Sequence, residues 1–369
     1  MNSSRDNHRD NFSAARPIVF HGRGAVVCPD GRFESQKREV FDDGWGNQDE
    51  APETPATQLI VDSSKTVISS NDSPDVGFSL SVNPYRGCEH GCTYCFARPT
   101  HSYLGLSAGL DFETKIAYKP DAPAQLRHEL AKRSYRCQPI ALGINTDGWQ
   151  PIERKIGLTR ALLQVLAECR HPVSIVTKGA LIERDIDLLA DMAKDSLVHV
   201  MFSITTLDRE LARKMEPRAA TPQRRLQAMQ ALHDKGIPVG VLFAPLIPAL
   251  NDHELEAVLE ATRAAGGDTA GYALLRLPHE LADIFPAWLR EHYPDRAAHV
   301  MSLVNQMRGG KAYDSRFGKR MRGEGVFADL YAQRMKKACA RLGFNQIRRT
   351  LNTAAFRAPR EDGPQMSLF

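Results

Sequence analysis

Apolar residues along this chain fall into two textures. Up to about residue 75 they are scattered among Asp, Arg, Ser and Gly with no sustained period, and the stretch predicts an irregular extension. From Pro139 onward, short β-branched runs alternate with helix-period segments. PIALGIN (139–145), VSIVT (173–177), SLVHVMFSI (196–204), PVGVLF (238–243) and GYALLRL (271–277) predict strands, with helices between them. Two helix starts carry capping signals: Thr221 before Pro222, and Asn251 with Glu254 three residues later. This alternation predicts an α/β protein with a parallel sheet, and about six units make a partial (β/α)6 TIM-like barrel. Ligands bind beyond the carboxyl ends of such strands, which singles out Asn145 to Asp147, Lys178, Thr205, Ala244 and Arg276. The division expected is an extension over 1–75, the barrel over 76–295, a basic helical region over 296–350 and a disordered tail over 351–369.

Composition narrows the class. Over 369 residues, 42% hydrophobic and 25% charged side chains suit a folded chain with a sizeable core. The start has no apolar leader segment. The greasiest stretch, from Gly236 to Leu250, is too short and Pro-broken to span a bilayer, so no membrane association and a cytoplasmic location are expected. The net charge of +4 is unevenly spread: between Arg308 and Thr350, twelve Lys and Arg stand against three acids. That segment reads either as a phosphate-facing surface or as a solvated helix face with a basic loop.

Three of the seven cysteines fall within eight residues, in NPYRGCEHGCTYCF, as Cys88, Cys92 and Cys95. Gly87 and Gly91 let the backbone turn sharply there. Three thiolates from one tight loop can each hold one iron of a cubane cluster, leaving the fourth iron without a protein ligand. An open metal position implies chemistry rather than scaffolding. The alternative is a three-cysteine zinc site completed by His90 or His101. Cys28, Cys137, Cys169 and Cys339 are scattered and read as ordinary small residues.

The cysteine spacing, with Tyr94 before the last cysteine, resembles the signature of the radical S-adenosylmethionine (SAM) superfamily. NTDGWQPIE (145–153), VTKGALIERD (176–185), SITTLDRELARKMEPRA (203–219) and APLIPALND (244–252) are similar to successive blocks of its spore photoproduct lyase-like branch, often labelled DNA repair photolyase. That likeness covers roughly residues 78–290. The segments around 22–34 and 308–325 resemble an uncharacterised bacterial subgroup of the branch. The resemblance implies a [4Fe–4S] cluster on Cys88, Cys92 and Cys95. It also implies S-adenosyl-L-methionine on the fourth iron, and a 5′-deoxyadenosyl radical that abstracts a substrate hydrogen. By the same carry-over Tyr94, Phe96, Asp147, Lys178, Ser203 and Ala244 bind the cofactor, and a reductant protein such as flavodoxin or ferredoxin supplies the electron.

One departure matters: spore photoproduct lyases carry a hydrogen-returning cysteine two residues before the aspartate of their block, where this chain has Asn145. The expected substrate is DNA, a lesion or modified base processed without that thiol. The rivals are RNA, a protein or a metabolite as substrate, or a non-catalytic, metal-stabilised clamp-binding module. The ending Gln365-Met366-Ser367-Leu368-Phe369 resembles the pentapeptide that docks bacterial repair proteins on the DNA sliding clamp, with Gln365, Met366, Leu368 and Phe369 as its anchors.

Overall fold

The computed structural model describes residues 22–33 and 55–359. Six parallel strands stand side by side: β3 (Leu80–Val82), β6 (Ile140–Leu142), β7 (Val173–Thr177), β8 (Val198–Ser203), β9 (Val239–Leu246) and β10 (Thr269–Leu274). The short β2 (Ile68–Ser70) pairs antiparallel with β3 and closes that edge, while β10 lies at the other, so the barrel stays open. A second small sheet joins β1 (Gln58–Val61), β5 (Lys115–Tyr118) and β4 (Tyr85–Arg86). The single-turn helix α1 (Asp111–Thr114) leads directly into β5.

Helices follow the strands in turn: α2 (Ala122–Ala131), a one-turn α3 (Glu153–Ile156), α4 (Leu158–Glu168), α5 (Ile186–Lys194), α6 (Arg209–Met215), α7 (Pro222–His233) and α8 (Leu255–Ala264). Beyond the barrel come α9 (Leu281–His292), α10 (Pro294–Gln306) and α11 (Val326–Leu342), the last packed on α8. Ile140, Leu142, Ile175, Val200, Phe202, Val241 and Phe243 are wholly buried along the strands. Each contributes about 1.5–3 kcal/mol of burial free energy. The partial barrel is therefore as the alternation predicts.

The departures have local causes. The stretch read as irregular through residue 75 contributes β1 and β2. All four residues of β1 and two of the three in β2 are exposed, so pairing through the backbone leaves no alternation to read. The first barrel strand, β3, has only three residues and escapes the same way. Thr221 does cap α7, accepting the Arg224 amide at 3.3 Å. Asn251 and Glu254 do not form a capping box. Asn251 instead braces Thr205 O at 2.8 Å and Pro245 O at 2.9 Å, and Glu254 accepts from Thr206 Oγ1 and the Leu207 amide.

The segment after α11 is a strap across the amino ends of the strands. Asn345 pairs with both backbone groups of Ala270 at 3.0 Å, the Asn352 amide donates to Ser196 O at 2.9 Å, and the Arg357 amide to Cys169 O at 2.8 Å. Residues 351–359, read as disordered tail, belong to this strap because Phe356 packs edge-on against His171 and beside Tyr135. The pentapeptide 365–369 lies outside the described residues. Among the described residues no helix is long and apolar enough to cross a membrane.

Candidate active site

The cysteine loop leaves β4 at the carboxyl end of the barrel and turns at Gly87 and Gly91, with φ of 85° and 68°. At Gly91 a Cβ would also sit 2.7 Å from Glu113 Oε2, so both backbone shape and space demand glycine. The loop is held from every side. The Cys88 amide donates to Phe112 O at 2.9 Å and the Thr93 amide to Met215 O at 3.0 Å. Thr146 Oγ1 donates to Gly87 O at 2.7 Å, and Gln150 Oε1 accepts the Glu89 amide at 2.8 Å.

Beneath it lies Arg98, with no solvent exposure. Its guanidinium donates to the carbonyls of Cys92, Ala108, Gly109 and Gly91 at 2.8–3.1 Å and pairs with buried Glu113. All five donors are thereby used. Glu113 in turn accepts the amides of Gly24 and Ala25 at 2.9 and 2.8 Å, drawing the N-terminal segment under the loop.

A second buried pair stands at the carboxyl end of β8. Arg225 donates to Ala220 O and Ser203 O at 2.8 Å each and pairs with Glu216. Glu216 also accepts from Thr205 Oγ1 at 2.6 Å and from the Tyr94 hydroxyl. Burial pushes the Glu216 carboxyl up, yet Arg225 and Lys178 outweigh it and hold the pKa at about 2. Arg218 reaches Glu89 at 2.9 Å, completing the clamp of the MEPRA block on the loop.

The residues predicted to bind cofactor distribute as follows. Tyr94 is buried, its hydroxyl spent on Glu216 and Thr205. Phe96 is 39% exposed, with the Arg276 guanidinium 5.0 Å over its ring. Asp147 uses both oxygens internally, accepting from the Trp149 amide at 2.8 Å, Thr177 Oγ1 at 2.8 Å and the Lys178 amide at 2.6 Å, with His90 Nδ1 at 3.4 Å. It ties β6 to β7. Ser203 donates to Ala244 O at 3.2 Å, bringing those two together. Lys178 lies 5.7 Å from the Tyr94 ring centroid. Burial opposes its charge, but Cys92 and Glu216 favour it and the pKa is raised.

The thiols are mutually close. Burial, then Asp147 and the neighbouring cysteines, push Cys88 well up, and burial with the nearby Glu216 carboxylate and Cys95 takes Cys92 to about 12 despite Lys178. Such a set needs a strongly electropositive partner to ionise, which an iron–sulfur cluster supplies. Among the described residues no three His, Cys, Asp or Glu side chains converge to hold a single ion. Three thiols on one loop suit a polynuclear group, in which each meets its own iron. Of the two histidines offered as a fourth zinc ligand, His90 presents Nδ1 to Asp147 at 3.4 Å and His101 bonds Lys115 O through Nε2 at 2.9 Å, which leaves each ring its other nitrogen. Cys137 and Cys169 lie towards the floor of the barrel with Tyr135 and the strap. Asn145 is exposed beyond β6, its amide bonded to Asn83.

Sequence reasoning missed Arg98, Glu113, Glu216 and Arg225. Glu216 lies inside a quoted block and Arg98 just after the triplet, but nothing in sequence marks a buried ion pair.

The structure is thus an open parallel barrel with a three-cysteine loop beyond its first strand. Residues 82–262 match the sequence model of the Radical SAM superfamily, and the chain belongs to that family. An uncharacterized protein of Mycobacterium tuberculosis (strain H37Rv) is 39% identical over 231 residues, 62% of this chain and 68% of that one. An uncharacterized protein of Methanocaldococcus jannaschii is 27% identical over 59% of this chain and 78% of its own length. Among solved structures, spore photoproduct lyase complexed with dinucleoside spore photoproduct superposes with a TM-score of 0.54 at 17% identity, covering 78% of this chain and 80% of that one. A variant of that lyase with bound AdoMet and the same dinucleoside gives 0.55. These likenesses establish a shared fold. Members of the family bind a [4Fe–4S] cluster and SAM, and the donor set here fits both.

Proposed function

We propose that this radical SAM enzyme acts on a nucleic acid, at a lesion or modified base, by a route that returns no hydrogen from a cysteine at position 145. One arrangement carries the reading: two cations of different availability flank the loop's mouth. Lys178 lies within electrostatic range of Cys92 and Cys95 and suits the carboxylate of SAM. The Arg276 guanidinium stands 5.0 Å over the ring of half-exposed Phe96, and its Nε–H is buried without a partner. A guanidinium over an aromatic ring, with a donor in reserve, suits a planar substrate bearing acceptor atoms.

When bound, cluster and SAM supply a carbon radical that removes a substrate hydrogen atom. The protein's share is placement. Cys88, Cys92 and Cys95 hold iron, Arg98 and Glu113 keep the loop rigid, and Ser203 with Ala244 borders the adenosyl side. Asp147 acts one step back, positioning Lys178 through its amide. A flavodoxin or ferredoxin would deliver the electron. Gln365, Met366, Leu368 and Phe369 would tether the enzyme to the sliding clamp.

Anaerobic reconstitution followed by incubation with dithionite, SAM and deuterated DNA oligonucleotides tests the reading. The expected result is 5′-deoxyadenosine carrying deuterium from DNA. Cleavage of SAM with no transfer from any DNA, but transfer from RNA, peptide or metabolite, would replace the substrate class. About one zinc per chain and no SAM cleavage would remove the enzyme altogether.

A further inference from the structure

The basic segment separates into engaged and free cations. Of its twelve bases, Arg308 is buried and donates to Lys319 O and Leu275 O at 2.8 Å. Arg316 and Lys319 pair with Asp314 or Glu324, Arg320 with Asp75, Arg334 with Glu256, Arg341 with Glu260 and Arg349 with Asp268. Five are left without an acidic partner among the described residues: Lys311, Arg322, Lys336, Lys337 and Arg348.

Two of these five, Arg322 and Lys336, line the same cleft, an open cavity of ≈ 600 Å³ between the free edge of β10 and helix α11. Ala270, Gly271 and Tyr272 of β10 line one side and Ala332, Cys339 and Ala340 of α11 give the accessible apolar surface on the other. Asn345 satisfies the edge at Ala270, and Leu274 donates to Met321 O at 2.9 Å, so the span between them faces the cleft. Tyr272 lies within electrostatic reach of Arg322, with Asp329 also in range, and its hydroxyl is buried without a hydrogen-bond partner. An orphaned hydroxyl, two uncommitted cations and an apolar wall together call for a ligand with an anionic head and a flat or apolar body.

We infer that this cleft binds a phosphate-bearing nucleotide unit, with the phosphate at Arg322 and Lys336 and the sugar or base against Ala332, Cys339 and Ala340 of α11. The inference rests on the nucleic-acid reading above and extends it. β10 runs from the cleft to Arg276 at the mouth, and Tyr272 and Arg276 are separated by about 13 Å at ~3.3 Å per residue. A strand with one nucleotide at the mouth can therefore lay the one two steps along it in the cleft. The same phosphate chemistry also occurs in a free nucleotide.

The test is fluorescence anisotropy with a labelled single-stranded 12-mer of thymidylate, alongside calorimetry with thymidine 5′-monophosphate, at several salt concentrations. Arg322→Gln/Lys336→Gln should weaken the 12-mer about tenfold and reduce the salt slope by about 1.4, two phosphate contacts at ~0.7 each. Tyr272→Phe should weaken it about threefold with the slope unchanged. Lys311→Gln/Arg348→Gln removes equal charge away from the cleft and should cost less than threefold. All these variants should melt as wild type does and cleave SAM normally.

Equal losses in both double variants, or wild-type affinity in Arg322→Gln/Lys336→Gln, would overturn the site. Monophosphate binding that is lost in the cleft variant would assign the cleft to free nucleotides. Binding of the 12-mer alone would assign it to the polymer. Failure of the wild-type protein to bind either probe ends the cleft proposal, whereas the nucleic-acid reading stands or falls separately on deuterium transfer.

Discussion

Glu216 carries a full charge in an interior where an isolated carboxyl would be neutral, and it does so because Arg225 is buried against it. Removing one member of such a pair strands the other. Glu216→Gln should therefore cost about 3–5 kcal/mol in urea unfolding. Glu216→Gln/Arg225→Met should recover part of that loss, and a double variant no better than the single one would mean the pair is not the unit. Lys178 is the opposite case, a cation with reach but no hydrogen-bonded anion. Lys178→Met should raise the Kd for SAM about ten- to hundredfold, the worth of one charge-assisted bond, while iron per chain stays constant. A parallel fall in iron content would make Lys178 a support of the loop instead. The difference between these residues was only half legible. A lysine after a strand announces itself by position, as Lys178 does. An aspartate in the same place, Asp147, looks equally available until both its oxygens prove to be occupied.

At the level of elements, the long apolar strands were readable and the short or exposed ones were not. β7 and β8 bury alternate or successive residues and leave a hydrophobic signature, whereas β1 pairs with β5 through backbone alone and leaves none. The strap was hidden for a related reason. Its hold on the floor comes from Asn345, Asn352 and Phe356, and none of these stands in a periodic run. His171 makes that hold sensitive to pH. Its Nδ1–H donates to Pro172 O at 3.0 Å and its Nε2 accepts from the Tyr135 hydroxyl at 2.7 Å, so the ring is neutral as it packs under Phe356. Burial lowers its pKa to about 4 from 6.5. Between those values the unfolded chain binds more protons than the folded one, so stability rises with pH across the window and is lost on acidification. The share belonging to His171 is about 3 kcal/mol. His171→Gln should flatten the slope of unfolding free energy between pH 6.5 and 4 relative to wild type, and an unchanged slope would move the effect to other buried histidines.

As a whole the molecule has two ends with different tasks. The cysteine loop, Lys178 and Arg276 gather at the carboxyl ends of the strands, and the strap covers the amino ends. The alternation made the barrel legible in advance, and the triplet marked the loop at its carboxyl end. The buried scaffolding of the loop was not, because Arg98 finds Glu113 across a turn of chain whose path no local pattern encodes. The two-ended layout also decides what the proposed clamp tether would do. The described chain ends at Pro359, two residues past Arg357, which is anchored at the floor by Cys169. Five residues, 360–364, stand between Pro359 and Gln365, so the six steps reach at most about 22 Å when extended. A clamp held there would sit towards the floor and leave the mouth open to DNA, raising the local concentration of substrate without touching the chemistry. Deleting Gln365–Phe369 should then abolish binding to an immobilised bacterial sliding clamp while the rate of SAM cleavage is unchanged. Saturating clamp added to the full chain should leave that cleavage rate unaltered too. Inhibition by the clamp would place the partner over the mouth, and undiminished clamp affinity after the deletion would take the pentapeptide out of the interaction.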